Sequence, residues 1–600
     1  MPVLKIQGFS GTIPVTGDRA LPDGFAAESF NTWLYGNELR GARPPKDVIA
    51  IQTTTRTVLR VPRNTPYPTA SDPIPPPSFI GNDTWKQFQE HDVDIVRGQL
   101  VDDLYDRWYF CSPLGGPKFN TYARMVTGLP DYKLGVPGPN TDIAADGTNA
   151  DAPVIVSIVG GAAPMVTRAY VYTWVNEFGE ESSSSLPVIG AGNFDAVWTI
   201  GNIKDPPALG VDYPAYTKKR VYRTVTGASG QTTFYRVSEH VIGATLPDGG
   251  WTSETTFADN TAVMTDAVLV NQLRLESISW APPPPNMKGW IAMPNGFLVG
   301  FDDSNIYMSE QYHFHAWPPE YKIATEYPIV GLGILGETCV VCTQGFPATI
   351  TGAKPATCSL TKATTGEPCL SRGSIVSTPQ GIVYASHNGL IMISPQGIEN
   401  ITSKLITRDE WLSKYEPAYI RAQRYQNGYL SLRMKDAPGN RSAFFLDPTE
   451  LRVALTEFTD MQDLRNVNVD FWSGEVFLVF DGMLKRWDAP SETDLMPVQW
   501  KSKEFQFPYQ ENFGAYAIYW DDDRFSNYPF GVSVLPVDQK VRFKVYADRR
   551  VVYDQLVPKN GRPIRLPAGF KADIWQFEIR ARAPVYSMHV ASTVKELRSA

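Results

Sequence analysis

Basic runs are missing from this chain. Its 55 lysines and arginines are set against 63 aspartates and glutamates, for a net charge of −8, and no Lys/Arg stripe forms. Affinity for phosphate comes from clustered cations, which argues against a protein that grips nucleic acid. A protein that DNA slides past stays open, since an acidic wall repels phosphate. Cysteine is scarce as well. Five in 600 residues is an odd number, so reduced thiols are expected in place of a disulfide framework. There are only six histidines and no G-x-S-x-G, which removes the usual signature of a serine hydrolase. No run of 18 apolar residues occurs. The longest candidate, 154–166, is broken by Gly160, Gly161 and Pro164, and no membrane insertion is expected. The opening Met1-Pro2-Val3-Leu4-Lys5 lacks the basic start and apolar core of a secretory leader, so a soluble protein that folds where it is made is expected. Helix-period segments are few, and the best, 407–415, is short.

What the chain does have is turn residues and aromatics: 49 prolines, 47 glycines and 12% Phe, Trp and Tyr, a composition of short strands joined by many turns. Five stretches read as one hairpin repeated. Each opens on a glycine (Gly296, Gly336, Gly381, Gly428, Gly474) and runs into an apolar strand, with successive spacings of 40, 45, 47 and 46 residues. Between the paired strands lie Asp302-Asp303-Ser304-Asn305, Gln344-Gly345, Asn388-Gly389, Pro438-Gly439-Asn440 and Asp481-Gly482, all turn chemistry. A strand-built period of about 40–50 residues is that of β-propeller blades; a β-rich domain with evenly spaced hairpins is the plainer alternative.

Six hundred residues exceed one core, and four regions are expected. Residues 1–150 form an N-terminal docking region, punctuated by prolines at 66–77 and expected to contribute propeller strands from 48–59 and 105–111. Residues 151–266 read as a sandwich: the strand 170–175, the turn Asn176-Glu177-Phe178-Gly179-Glu180, and a second hairpin turning at 227–230 resemble a fibronectin type III module. Residues 267–490 carry the propeller repeats, after the stiff linker 282–285, and 491–600 a C-terminal β-sandwich. The fold class is therefore all-β: a β-propeller with a fibronectin III/Ig-like sandwich insertion and a C-terminal β-sandwich.

Chemistry-bearing candidates each have a blander reading. Gly331-Leu332-Gly333-Ile334-Leu335-Gly336 matches G-x-G-x-x-G, but the residues that follow continue as strand where a dinucleotide site needs a helix. Cys339 and Cys342, with Cys358 and Cys369 downstream, suggest zinc, yet positions i and i+3 of a strand face opposite ways. His313-Phe314-His315 places two imidazoles on one face of an extended strand, though Trp317-Pro318-Pro319 reads as a corner between blades. Asp302, Asp303 and 521–523 are acids in turn-like segments, and no pair stands out for glycoside cleavage. No catalytic, cofactor-binding or metal residues are assigned, no cofactor is expected, and the chain is read as a non-enzyme.

Several segments resemble the nozzle or tubular proteins at the lower end of short-tailed (podovirus-like) bacteriophage tails. They are Ser309-Glu310 with His315-Ala316-Trp317-Pro318-Pro319-Glu320-Tyr321, the stretch 327–332, 371–373 with Ser377, 381–386, and Asn388-Gly389-Leu390. The resemblance spans about 80 residues and implies no active site. It implies a virion structural protein, assembled in the host cytoplasm, forming a homohexameric ring around the DNA channel for genome ejection. Its partners would be adaptor or portal-side proteins and tail fibres, and double-stranded DNA would pass without specific binding. The alternative of a different class is a glycan-binding or glycan-cleaving β-propeller with a fibronectin-like accessory module.

Overall fold

The structure, a computed structural model, describes residues 3–34, 37–62, 83–100, 103–139, 151–207, 210–225, 233–244, 250–434, 442–447, 455–459, 461, 463–489, 495–521, 541–567 and 571–599. The proline stretch 66–77, the turns at 227–230 and 438–440, and Asp522 and Asp523 lie outside the described residues. The chain is all-β, and it divides into two compact units. One comprises Met1–Asp92, Val340–Pro347 and Lys362–Ala600; the other comprises Val93–Cys339 and Ala348–Thr361.

In the first unit, four-stranded antiparallel meanders pack face to face as propeller blades do. The 376–400 blade runs Val376–Ser377, Ile382–Ser386, Gly389–Ser394, Gly397–Asn400. It packs on the 420–458 blade through Val383, Leu390, Trp411, Tyr429 and Phe444. The 420–458 blade packs in turn on the 464–486 blade through Leu430, Phe445, Val467 and Leu478. The fourth strand of that last blade comes from far away in sequence: Lys46–Ala50 pairs with Met483–Arg486. On its other face Phe477 and Val479 meet Val58 and Trp85, from the hairpin of Thr57–Val61 and Thr84–Phe88. Sandwiching explains the sequence pattern. Ile382–Ser386 and Phe297–Phe301 are buried at every position, because their sheets are covered on both faces, so these strands read as continuous apolar runs.

The C-terminal sandwich also borrows from the N-terminus. Val3–Gln7 pairs with Val585–Ala591. Ala26–Phe30 lies between Val498–Ser502, antiparallel, and Leu455–Phe458, where Phe30 sits opposite Glu457 in parallel. One N-terminal strand thus splices the 420–458 blade to the sandwich as a single ten-stranded sheet. The sandwich core holds Trp500, Phe513, Tyr516, Phe543, Trp575 and Phe577. Val541–Ala547 alternates strictly, odd positions inward, as a strand covered on one face should.

In the second unit, Asp94–Arg97, Arg107–Ser112, Gly116–Thr121 and Tyr132–Lys133 form a blade. It packs on the 289–324 blade through Tyr109, Phe119, Met287, Trp290 and Trp317. Residues 151–266 make a two-sheet sandwich. One sheet runs Val154–Val159, Val197–Gly201, Thr256–Asn260, Trp251–Ser253; the other Val188–Asn193, Met165–Asn176, Tyr216–Thr224, Phe234–Val241. Tyr170, Tyr172, Trp174, Trp198 and Trp251 fill the space between. Among the described residues no helix is long and apolar enough to cross a membrane.

Candidate functional site

A buried cluster of charged groups in the second unit lies where the sandwich meets the 94–133 blade. The turn between Met165–Asn176 and Glu181 is held by Asn176, whose side-chain oxygen accepts from the backbone N–H of Phe178 and of Glu180, each at 3.0 Å. That turn delivers two side chains into the blade. The Phe178 ring sits edge-on to Tyr105 at 4.7 Å and near Phe119 at 5.9 Å. The Glu180 carboxylate accepts from Arg107 Nη1 at 2.6 Å and from Asn176 Nδ2 at 2.9 Å, and lies 3.5 Å from His315 Nδ1. Arg107 Nε donates to Asp103 at 2.8 Å. Both Arg107 and Glu180 are only 9% exposed. Burial opposes the charge on Arg107, but Tyr109, Glu180 and Asp103 outweigh it and hold the guanidinium above its usual range. His315 is driven the other way: burial pushes its imidazole down to about 4, and its Nε2 has no partner among the described residues.

Two further buried arginines act in the same manner. Arg60, in the first unit, donates to Asp83 at 2.6 Å and Asp470 at 3.1 Å, tying the 57–88 hairpin to the neighbouring blade. Inside the sandwich Arg223 lies 3.0 Å from Asp259 and 3.2 Å from Asp266. Buried ions of this kind are retained only when paired, because the unpaired charge costs several kcal/mol. Composition hides these joints, yet an arginine inside an otherwise apolar strand, as in Thr-Val-Leu-Arg-Val at Thr57–Val61, is the visible signal.

The first unit contains a cleft of about 220 Å³ lined by Thr12, Asp18, Glu28, Glu410, Lys414 and Glu457, among others. Two of its four acidic residues arrive with partners. Glu457 accepts from Lys414 at 2.5 Å and from the Tyr415 hydroxyl at 3.0 Å. Glu28 accepts from Lys501 at 3.0 Å and Gln499 at 3.3 Å. Two-carboxylate glycoside cleavage needs one acid to give a proton and the other to attack or activate water; both of these are engaged by cations.

The residues weighed in the sequence fall as follows. Ile329–Leu335 is a strand, Gly336 turns at φ 59°, and Thr338–Thr343 is again a strand, so no helix N-terminus faces the glycines. The five cysteines are free thiols; Cys339 and Cys342 are buried on one strand, and burial pushes the Cys339 thiol up to about 12. The expectation of an extended strand at His313-Phe314-His315 is corrected. These residues lie in turns, with only a bridge from Glu310 to His313, because Tyr312 takes a φ of 62° and the Ala316 N–H turns back to the His313 carbonyl at 2.9 Å. His313 stacks on Trp280 at 4.6 Å. Asp302 accepts from Asn305 and Tyr307 at 2.8–3.1 Å and fixes its own turn. Asp303 pairs with Lys288.

No family model matches the chain, and no curated protein does. Among solved structures it is similar to BBS1N in complex with ARL6DN, at 10% identity over 51% of this chain and 88% of that one, TM-score 0.25. It is similar also to the Pan2 WD40 domain of Neurospora crassa, at 8% identity over 50% and 86%, TM-score 0.24. A third is the extracellular domain of a hybrid two component system from B. thetaiotaomicron, at 8% identity over 82% and 67%, TM-score 0.26. At scores this low the likeness adds nothing to the sheets themselves.

Proposed function

We propose that this chain is a structural subunit of a bacteriophage short tail, a nozzle or tubular protein whose copies form a ring around the DNA channel. One observation carries the reading: the residues behind the resemblance to nozzle proteins do scaffold work here. Ser309 Oγ accepts from Leu298 N–H at 2.9 Å, Trp317 Nε1 donates to Phe314 O at 2.9 Å, and Ser374 Oγ, just after 371–373, accepts from Ala385 N–H at 3.0 Å. His315 sits at the joint that Glu180 makes with Arg107. Side chains spent on holding blades and a sandwich in register suit a rigid building block more than a site that turns over substrate. The charge of −8 supports a conduit, since clustered lysines would add counterion-release affinity and slow a passing duplex. The pairing of Glu457 and Glu28 with lysines in the 220 Å³ cleft gives the glycan reading less support. A gel-shift titration tests the proposal: the purified protein leaves duplex DNA unretarded at ordinary salt, and tight, salt-sensitive binding overturns the conduit.

A further inference from the structure

Lys219 lies inside the sandwich at 151–266. The other ion-paired lysines among the described residues are 17–54% exposed, whereas the Lys219 side chain is 0% exposed. Strand alternation puts it there, on the same face of Tyr216–Thr224 as Val221, which belongs to the sandwich core. Trp174 and His240 stand directly opposite it on the two adjoining strands. The facing sheet closes over both with the Trp251 ring, 5.4 Å from Lys219 Nζ and 4.9 Å from the His240 ring.

At the end of this aromatic slot the amine meets a carboxylate. Lys219 Nζ donates to Asp205 Oδ1 at 2.6 Å and to the Glu254 carbonyl, and Glu254 Oε2 lies 3.9 Å away. His240 Nε2 is 3.1 Å from that same Glu254 oxygen and holds it beside the amine. Both acids belong to the facing sheet. Asp205 follows Val197–Gly201, and Glu254 sits in the turn between Trp251–Ser253 and Thr256–Asn260. Asp205 is at the mouth of the slot, 48% exposed. Tying two sheets together with an ammonium taken wholly out of water carries a desolvation penalty. An amide between the same two side chains carries no charge and escapes it. Groups held in contact react with effective molarities of about 10⁵–10⁸ M, and a second carboxylate beside the amine can move the protons that amide formation requires.

We propose that Lys219 and Asp205 condense to an isopeptide bond that staples the two sheets of the sandwich. Nζ passes a proton to Glu254 and attacks Asp205 Cγ, forming the C–N bond. One C–O bond of Asp205 breaks, and its oxygen leaves as water. Both hydrogens of that water come from the ammonium, carried by Glu254. One ammonium and one carboxylate thus give one amide and one water, with no oxidant or second substrate. The exposed side of Asp205 is the exit for the water.

Denaturing mass spectrometry of the full chain, with Lys219→Arg and Glu254→Gln beside it, tests the bond. The wild type is expected to be lighter than its sequence by one water. Trypsin should release residues 205–218 joined through Asp205 to Lys219-Arg220. Lys219→Arg keeps the charge but offers no amine, and should have its full sequence mass. Glu254→Gln should condense roughly 100-fold more slowly, the loss of a general acid–base group; condensation at the wild-type rate removes Glu254 as the proton carrier. A wild type at its full sequence mass overturns the proposal, as does a water loss that persists in Lys219→Arg or maps to another residue. Should Lys219→Arg fail to fold, the joined wild-type peptide decides.

Discussion

Replacing Glu180 by alanine is the sharpest probe of the joint between sandwich and blade. Arg107 would keep Asp103 at 2.8 Å but lose its 2.6 Å partner, and Asn176 Nδ2 would lose its acceptor. Breaking a buried pair costs about 3–5 kcal/mol; with Asp103 still in place the lower end applies, about 3 kcal/mol. For a cooperative block of this size each kcal/mol moves the midpoint by about 2–4 °C, so the transition should fall by roughly 6–12 °C. Scanning calorimetry of the full chain reads this directly, since the transition containing the second unit should move and any transition confined to the first should not. Phe178→Ala, which removes the ring packed against Tyr105 and Phe119, should move the same transition. A Glu180→Ala protein that melts within 2 °C of wild type would refute the claim that this ion pair ties the two modules.

His315 is buried with its imidazole lowered from 6.5 to about 4. Between those values the unfolded chain binds a proton that the folded one does not, so stability is full above pH 6.5 and declines as pH falls toward 4, by roughly 3 kcal/mol at about 1.4 per unit. Urea midpoints across that window should show a shallower slope in His315→Gln than in wild type. Native protein should present one readily titrated thiol, the partly exposed Cys358, against five after denaturation without reductant; stoichiometric zinc, or fewer than five thiols, contradicts this. Gly296→Ala should destabilise by about 1–3 kcal/mol, because Gly296 holds φ 87° and an added Cβ would meet the Tyr312 ring at 2.3 Å; chemical denaturation reads it. Asp470→Ala leaves Arg60 one of its two buried acceptors and should cost about 3 kcal/mol by the same route as Glu180→Ala.

The sequence made the blades visible for two physical reasons. Strands covered on both faces become unbroken apolar runs, and the glycines opening them are required by space at Gly296, Gly381 and Gly428 and by a positive φ at Gly336 and Gly474. At Gly428 an added Cβ would meet the Phe445 ring at 2.2 Å, and at Gly381 it would meet the Ile393 carbonyl at 2.3 Å, so spacing alone located the hairpins. What stayed hidden is long-range partnership. Nothing local in Lys46–Ala50 says that it closes a blade begun more than 400 residues later, or in Ala26–Phe30 that it joins two sheets. The charged joint was hidden too: Asn176-Glu177-Phe178-Gly179-Glu180 reads as a turn, but only the fold brings Glu180 to Arg107 and His315. The extended strand expected at 313–315 failed because the chain turns there, with a positive φ at Tyr312 and a hydrogen bond from Ala316 N–H to His313 O.

Electron microscopy of the purified protein, with and without a short duplex, tests whether the chain forms a ring around DNA. Closed rings of identical copies with a central opening wide enough for a duplex, unchanged when DNA is added, are the expected result. Single particles of one chain at every concentration, or DNA bound along an outer surface, would contradict it.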